Sequence, residues 1–92
     1  MYHIVVTRTY KRAFKRIARS GTFDTTELET VINALASGTP LPTKHADHAL
    51  IGPWKGYREC HIRPDVLLIY KKDNALLVLV LVDLGSHSSL FG

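Results

Sequence analysis

Ninety-two residues, 46% of them apolar and 22% charged, are too few for two independent cores and too apolar for a disordered chain. A single cysteine excludes an internal disulfide, and the longest apolar run, residues 75–82, falls far short of the roughly 20 residues a membrane-spanning helix needs. Twelve Lys and Arg against eight Asp and Glu leave a net charge of +4, which favours a polyanionic partner: a nucleic acid, an acidic protein or a membrane surface. Residues 1–7 have no signal-peptide layout, so the expectation is a soluble, cytoplasmic chain forming one domain over residues 1–92.

Residues 2–7 (YHIVVT) are rich in β-branched side chains and predict a strand. From Arg8 the period becomes helical. Tyr10, Ala13, Phe14, Ile17 and Ala18 form an apolar stripe, and Arg8, Lys11, Arg12, Lys15, Arg16 and Arg19 form a basic face with no acidic residue among them. Gly21 can supply a left-handed C-terminal cap. A second helix starts within 24–26, where Thr26 with Glu29, or Asp24 with Glu27, has capping-box spacing. Leu28, Val31, Ile32 and Leu35 mark its buried side, and Gly38 ends it. With about four residues between them, the two helices predict an antiparallel hairpin.

Pro40 and Pro42 keep the following stretch extended. Residues 44–51 read as loop, and Gly52, Pro53 and Gly56 bracket Trp54 in a turn. Residues 57–63 predict a strand with Tyr57, Glu59, His61 and Arg63 on one face and Arg58, Cys60 and Ile62 on the other. Pro64-Asp65 is a break, 66–70 an apolar strand, 71–74 a hairpin turn, 75–82 the most buried strand, and 83–92 a polar tail with an apolar end. The order β-α-α-β-β-β implies an α+β fold. Two N-terminal helices pack on a small, twisted, mainly antiparallel sheet whose last three strands form a meander.

Polar residues gather at the ends of these elements: His45, Asp47, His48, Trp54, Lys55, Arg58, His61, Asp65, Ser86 and His87. RNA cleavage by the neighbouring 2′-hydroxyl needs a base for that hydroxyl, an acid for the departing 5′-oxygen and cations for the phosphate. Imidazoles suit the proton transfers because they titrate near neutral pH, Lys55 and Arg58 suit the phosphate, and an aromatic ring can hold a splayed base. Such a mechanism needs neither metal nor cofactor. Blander readings stand beside this one: Cys60 as a small core residue, Trp54 as packing, the helical arginines as a solvated face, and His3 and His45 without a role. A zinc site built from His45, His48, Cys60 or His61, and His87 matches no common structural zinc spacing, and Ser86, His87 and Asp83 lack the strained turn of a serine hydrolase.

The stretch 47–71, D-H-A-L-I-G-P-W-K-G-Y-R-E-C-H-I-R-P-D-V-L-L-I-Y-K, and the tail 85–92, G-S-H-S-S-L-F-G, closely resemble the YafQ branch of the RelE-like toxins. The element order agrees, and in that family the first strand joins the sheet. The resemblance implies a toxin of a type II toxin–antitoxin pair, a bacterial endoribonuclease that enters the ribosomal A site and cuts messenger RNA. Its partners would be a cognate antitoxin, mRNA and the ribosome, with operator DNA reached only through the antitoxin complex. By the same resemblance the active-site set falls on His48, His61, Asp65, His87 and Phe91. His61 and His87 would transfer protons, His48 and Asp65 would assist or orient, and Phe91 would stack on or position a base. Two other classes remain open here: a non-enzymatic RNA- or antitoxin-binding module, and a gyrase-targeting toxin of the related ParE group.

Overall fold

The computed structural model describes residues 1–21 and 23–92. Its elements run β1 (His3–Val6), α1 (Arg8–Arg19), α2 (Thr25–Ser37), β2 (His48–Ala49), β3 (Arg58–Arg63), β4 (Val66–Asp73), β5 (Val78–Gly85) and α3 (His87–Phe91). Short 3-10 turns, Thr43–His45 and Gly52–Trp54, flank β2. The strands form one sheet in the order β1-β5-β4-β3-β2. β1 lies parallel to β5, and every other pairing is antiparallel. The crossover from β1 to β5 is what makes the sheet mixed rather than a simple meander.

Both long helices are capped from within the sequence. The Thr7 hydroxyl accepts the Tyr10 N–H at 3.0 Å and donates to the Val82 carbonyl at 2.6 Å, so the start of α1 is tied to β5. Asp24 caps α2 by accepting the Thr26 N–H at 2.9 Å, a contact that holds its carboxyl below the usual range. Of the two caps the spacing allows, Asp24 is therefore the one used, while Glu27 turns to Lys44 at 3.5 Å. Gly38 ends α2 at φ +78, where a Cβ would be strained. α1 instead ends on Ser20 in right-handed geometry, one residue before Gly21.

α1 packs on β5 and α2 on β3. Tyr10, Ala13, Leu28, Val31, Leu35 and Ala36 from the helices meet Cys60, Ile62, Leu68, Tyr70, Leu79, Leu81 and Leu84 from the sheet. Ala18, expected in the α1 stripe, is exposed at its flank.

Three expectations for the C-terminal half are corrected. Strand β2 replaces part of the loop read over 44–51, because Ala49 and His48 find partners in Arg58 and Glu59. The hairpin turn falls at 74–77, not 71–74: β4 runs on to Asp73, whose carboxylate accepts the Ala75 and Leu76 N–H groups at 3.0 and 2.9 Å and starts the turn. The tail is not irregular. β5 extends to Gly85, and Ser86 caps α3 by accepting the Ser89 N–H at 3.2 Å.

Candidate active site

Strand alternation divides β3 between the two faces of the sheet. Cys60 and Ile62 enter the helix-side core, while Glu59 and His61 turn to the opposite, open face. Leu67 and Ile69, paired with His61 and Glu59, form the buried floor of that face. α3 folds back along β5 to wall it. Gly85 makes this possible, since a Cβ there would lie 2.5 Å from the Ser89 hydroxyl oxygen.

The result is a depression of about 320 Å³ lined by His48, Trp54, Glu59, His87 and Phe91 together with Leu50 and Ile51. His48 stands opposite Glu59 on the β2–β3 ladder. Its Nδ1 lies 2.6 Å from the Ala46 carbonyl. A carbonyl only accepts, so Nδ1 carries the hydrogen, and the neutral ring keeps a lone pair on Nε2. Glu59 is 5% exposed, with Oε1 3.4 Å from His61 Nε2. His87 opens α3, and its ring centre is 5.2 Å from that of Phe91, one helical turn on. Phe91 meets Trp54 edge-on at 5.8 Å, Trp54 meets Tyr57 at 5.5 Å, and the Lys71 ammonium lies 5.4 Å from the Tyr57 ring centre. An aromatic row with a cation at its end thus borders the depression.

The expected set is brought together in part. His48, His87 and Phe91, distant in sequence, share the depression. His61 sits behind it, joined through Glu59, and borders a neighbouring hollow with Lys44, His45 and Arg63. Asp65 is exposed in the β3–β4 turn and lines a separate hollow beside Arg16 and Phe23. Lys55 is exposed beside Trp54 at the edge of the site. Arg58 is elsewhere: its side chain is on the helix side, bound to Asp47 and Tyr70.

His45 and Cys60, given no chemical role above, are both buried. The His45 ring is buried and donates through Nδ1 to the His61 carbonyl at 2.6 Å. Burial pushes the Cys60 thiol up to about 12, reinforced by the carboxylates of Asp47 and Glu59, so it is a poor nucleophile. Among the described residues no group of three or more His, Cys, Asp or Glu side chains is placed to hold a metal ion. None of the helices described is long and apolar enough to cross a membrane.

Glu59 and Lys71 were missed as site residues. Alternation already placed Glu59 on the face of His61, and a carboxylate inside a strand flanked by core positions was the available signal. Lys71 was hidden by being assigned to a turn.

The family described as the bacterial toxin of type II toxin–antitoxin systems, YafQ, matches residues 2–92. The chain belongs to the YafQ toxin family. It is 40% identical over 78 residues to the mRNA interferase toxin YafQ of Escherichia coli, covering 84% of this chain and 83% of that protein. A copper-bound mutant toxin from Helicobacter pylori superposes with a TM-score of 0.92 at 40% identity, covering 99% of this chain and all (100%) of that one. YafQ in the Escherichia coli DinJ-YafQ complex superposes with a TM-score of 0.87 at 32% identity, each chain covered in full (100%). The fold is therefore the RelE-like one of the YafQ toxins it superposes on, and the depression lies on the sheet face opposite α1 and α2, beside α3.

Proposed function

We propose that this YafQ-family toxin is a ribosome-dependent, metal-independent endoribonuclease whose proton-transfer groups are His48 and His87. One observation carries the reading: two imidazoles from separate stretches of chain line one depression, beside a buried carboxylate and two aromatic rings. His48, with Nδ1 committed to the Ala46 carbonyl, takes the 2′-hydroxyl proton on Nε2. The 2′-oxygen bonds to phosphorus as the bond to the 5′-oxygen breaks, and His87 protonates that leaving oxygen. The products carry a 2′,3′-cyclic phosphate and a 5′-hydroxyl. Every proton and electron pair is accounted for by substrate and side chains.

His61, 3.4 Å from Glu59, orients that carboxylate, which balances the charge His48 gains when it takes the proton. Lys55 and Lys71 flank the aromatic row and attract the phosphate backbone. Phe91 and Trp54 hold the base next to the cut. Asp65 and Arg58 stand outside this set. The basic face of α1 supplies the sequence-independent attraction that docks the toxin on ribosomal RNA. Because an Escherichia coli relative was solved with DinJ, a cognate antitoxin is inferred for this chain too, acting in the cytoplasm by covering the depression or the basic helix.

The test is His48→Ala and His87→Ala in a translating extract, with folding verified by circular dichroism. Each should lower mRNA cleavage roughly 10²–10⁴-fold and leave the fold intact. Folded variants that cut at the parental rate overturn the assignment. With the residual cleavage of free RNA by excess toxin as the baseline, its loss in EDTA overturns metal independence.

A further inference from the structure

Beneath β2, on the face away from the depression, three polar side chains close a small ring. Tyr70, only 1% exposed, donates its hydroxyl proton to Asp47 Oδ1 at 2.5 Å. Arg58 donates through Nε to the Tyr70 oxygen at 3.2 Å and lies 3.3 Å from Asp47 Oδ2 through Nη2. Burial, and then the bond to Asp47, push the Tyr70 phenol well above its usual range, so it remains a donor. The bond to Tyr70, with Asp47 beside it, likewise favours the charged guanidinium of Arg58.

We propose that Asp47 is a positioning residue for His48, with Tyr70 and Arg58 as its anchors. The proposal rests on the ribonuclease reading above. Asp47 and His48 are consecutive, so alternation sends one side chain into the ring and the other to the open face beside Glu59. The preceding residue, Ala46, has a left-handed backbone (φ +47), a conformation that a residue with a Cβ keeps only when its surroundings hold it there. That backbone presents the Ala46 carbonyl to His48 Nδ1 at 2.6 Å. The carboxylate–phenol–guanidinium ring fixes the peptide, the peptide fixes the carbonyl, and the carbonyl selects the tautomer that leaves Nε2 able to accept a proton. Arg58 thereby acts on the chemistry from the far side of the sheet instead of gripping phosphate.

The experiment uses Asp47→Asn and Tyr70→Phe, each nearly the shape of the residue it replaces. In the parent, imidazole nitrogen NMR should show His48 as a single Nδ1–H tautomer when neutral. In both variants it should become a tautomer mixture. kcat for RNA cleavage should fall roughly 10–100-fold with KM little changed. In a His48→Ala background, Asp47→Asn should cost nothing further. A His48 tautomer unchanged in both variants overturns the proposal, as does an equal rate loss with and without His48. The tautomer readout does not depend on activity. If His48→Ala has no effect on cleavage while the tautomer responds to Asp47→Asn, the ribonuclease assignment fails and the positioning contact stands. Tyr70→Phe keeps the Arg58–Asp47 pair, so the question remains answerable if Asp47→Asn does not fold.

Discussion

On the helix side of the sheet, Cys60, Leu68, Leu79 and Leu84 are wholly enclosed (0% exposed), and three polar side chains at its margin, Tyr70, Arg58 and Asp47, satisfy one another. On the open side, a buried carboxylate, two accessible imidazoles and a row of aromatic rings surround a depression. Residues adjacent in sequence face opposite ways: Glu59 lines the depression and Cys60 the core, while Asp47 joins the polar ring with Tyr70 and Arg58 and His48 lines the depression. A chain this short has little stability to spare. Using the two-residue period of a strand to assign each face its own work lets reactive groups remain accessible without opening the core.

That division predicts how substitutions sort. The imidazole replacements on the open face should have the largest effect, on rate alone. Next comes Leu68→Ala on the helix side, which should lower unfolding free energy by about 2–5 kcal/mol in urea titrations. The cleavage rate per folded molecule should stay near the parental value. A Leu68 variant that is stable but inactive breaks the division.

Gly85→Ala tests the join between the faces. Its methyl group makes the Ser89 hydroxyl turn away and give up its bond to the Ser86 carbonyl, which loosens the first turn of α3. The expected cost is about 1–3 kcal/mol, accompanied by a loss of cleavage because His87 and Phe91 move with the helix. Unaltered cleavage and stability would show that α3 can shift without consequence.

The most gradual effect, spread over several pH units, concerns alkaline pH and reads the helix side alone. Burial raises Tyr10 and Cys60 from 10.0 and 9.0 to about 12. Each binds its proton more tightly when folded, so this contribution is complete below the unfolded values and declines as pH rises from about 9 towards 12. The urea midpoint should fall across that window. A flat profile would mean that the two groups are less enclosed than the geometry indicates.

Much of this organisation was legible in the residues. The 3.6-residue stripe of α1 and the alternation in β3 follow from side-chain pattern alone, and the histidine-bearing stretches of the site could be named from the two motif blocks. Other features were not legible. Ala75, Leu76 and Leu77 have strand-like apolarity yet form the turn, because Asp73 captures two N–H groups there and because β4 and β5 pair in a register that starts at Val78. Arg58 looks like a phosphate ligand in one dimension. Its true partners, Asp47 and Tyr70, are brought to it by pairing with β2 and β4. Glu59 gave only the signal of its alternation, since the burial that singles it out depends on β2 and on the loop carrying Trp54.

Local sequence by itself determined the helices α1 and α2, the strands β1 and β3 and the centres of β4 and β5, the apolar face of each, and which residues have the chemistry to move protons. Tertiary structure alone decided that His48 and His87 line one depression, that His61 lies behind it against Glu59, that Asp65 lines a separate hollow, and that Arg58 bonds Asp47 and Tyr70. The reason is range. Periodicity and capping act over a few residues, whereas those four outcomes depend on strand register and on the packing of α3, which join residues far apart in the chain.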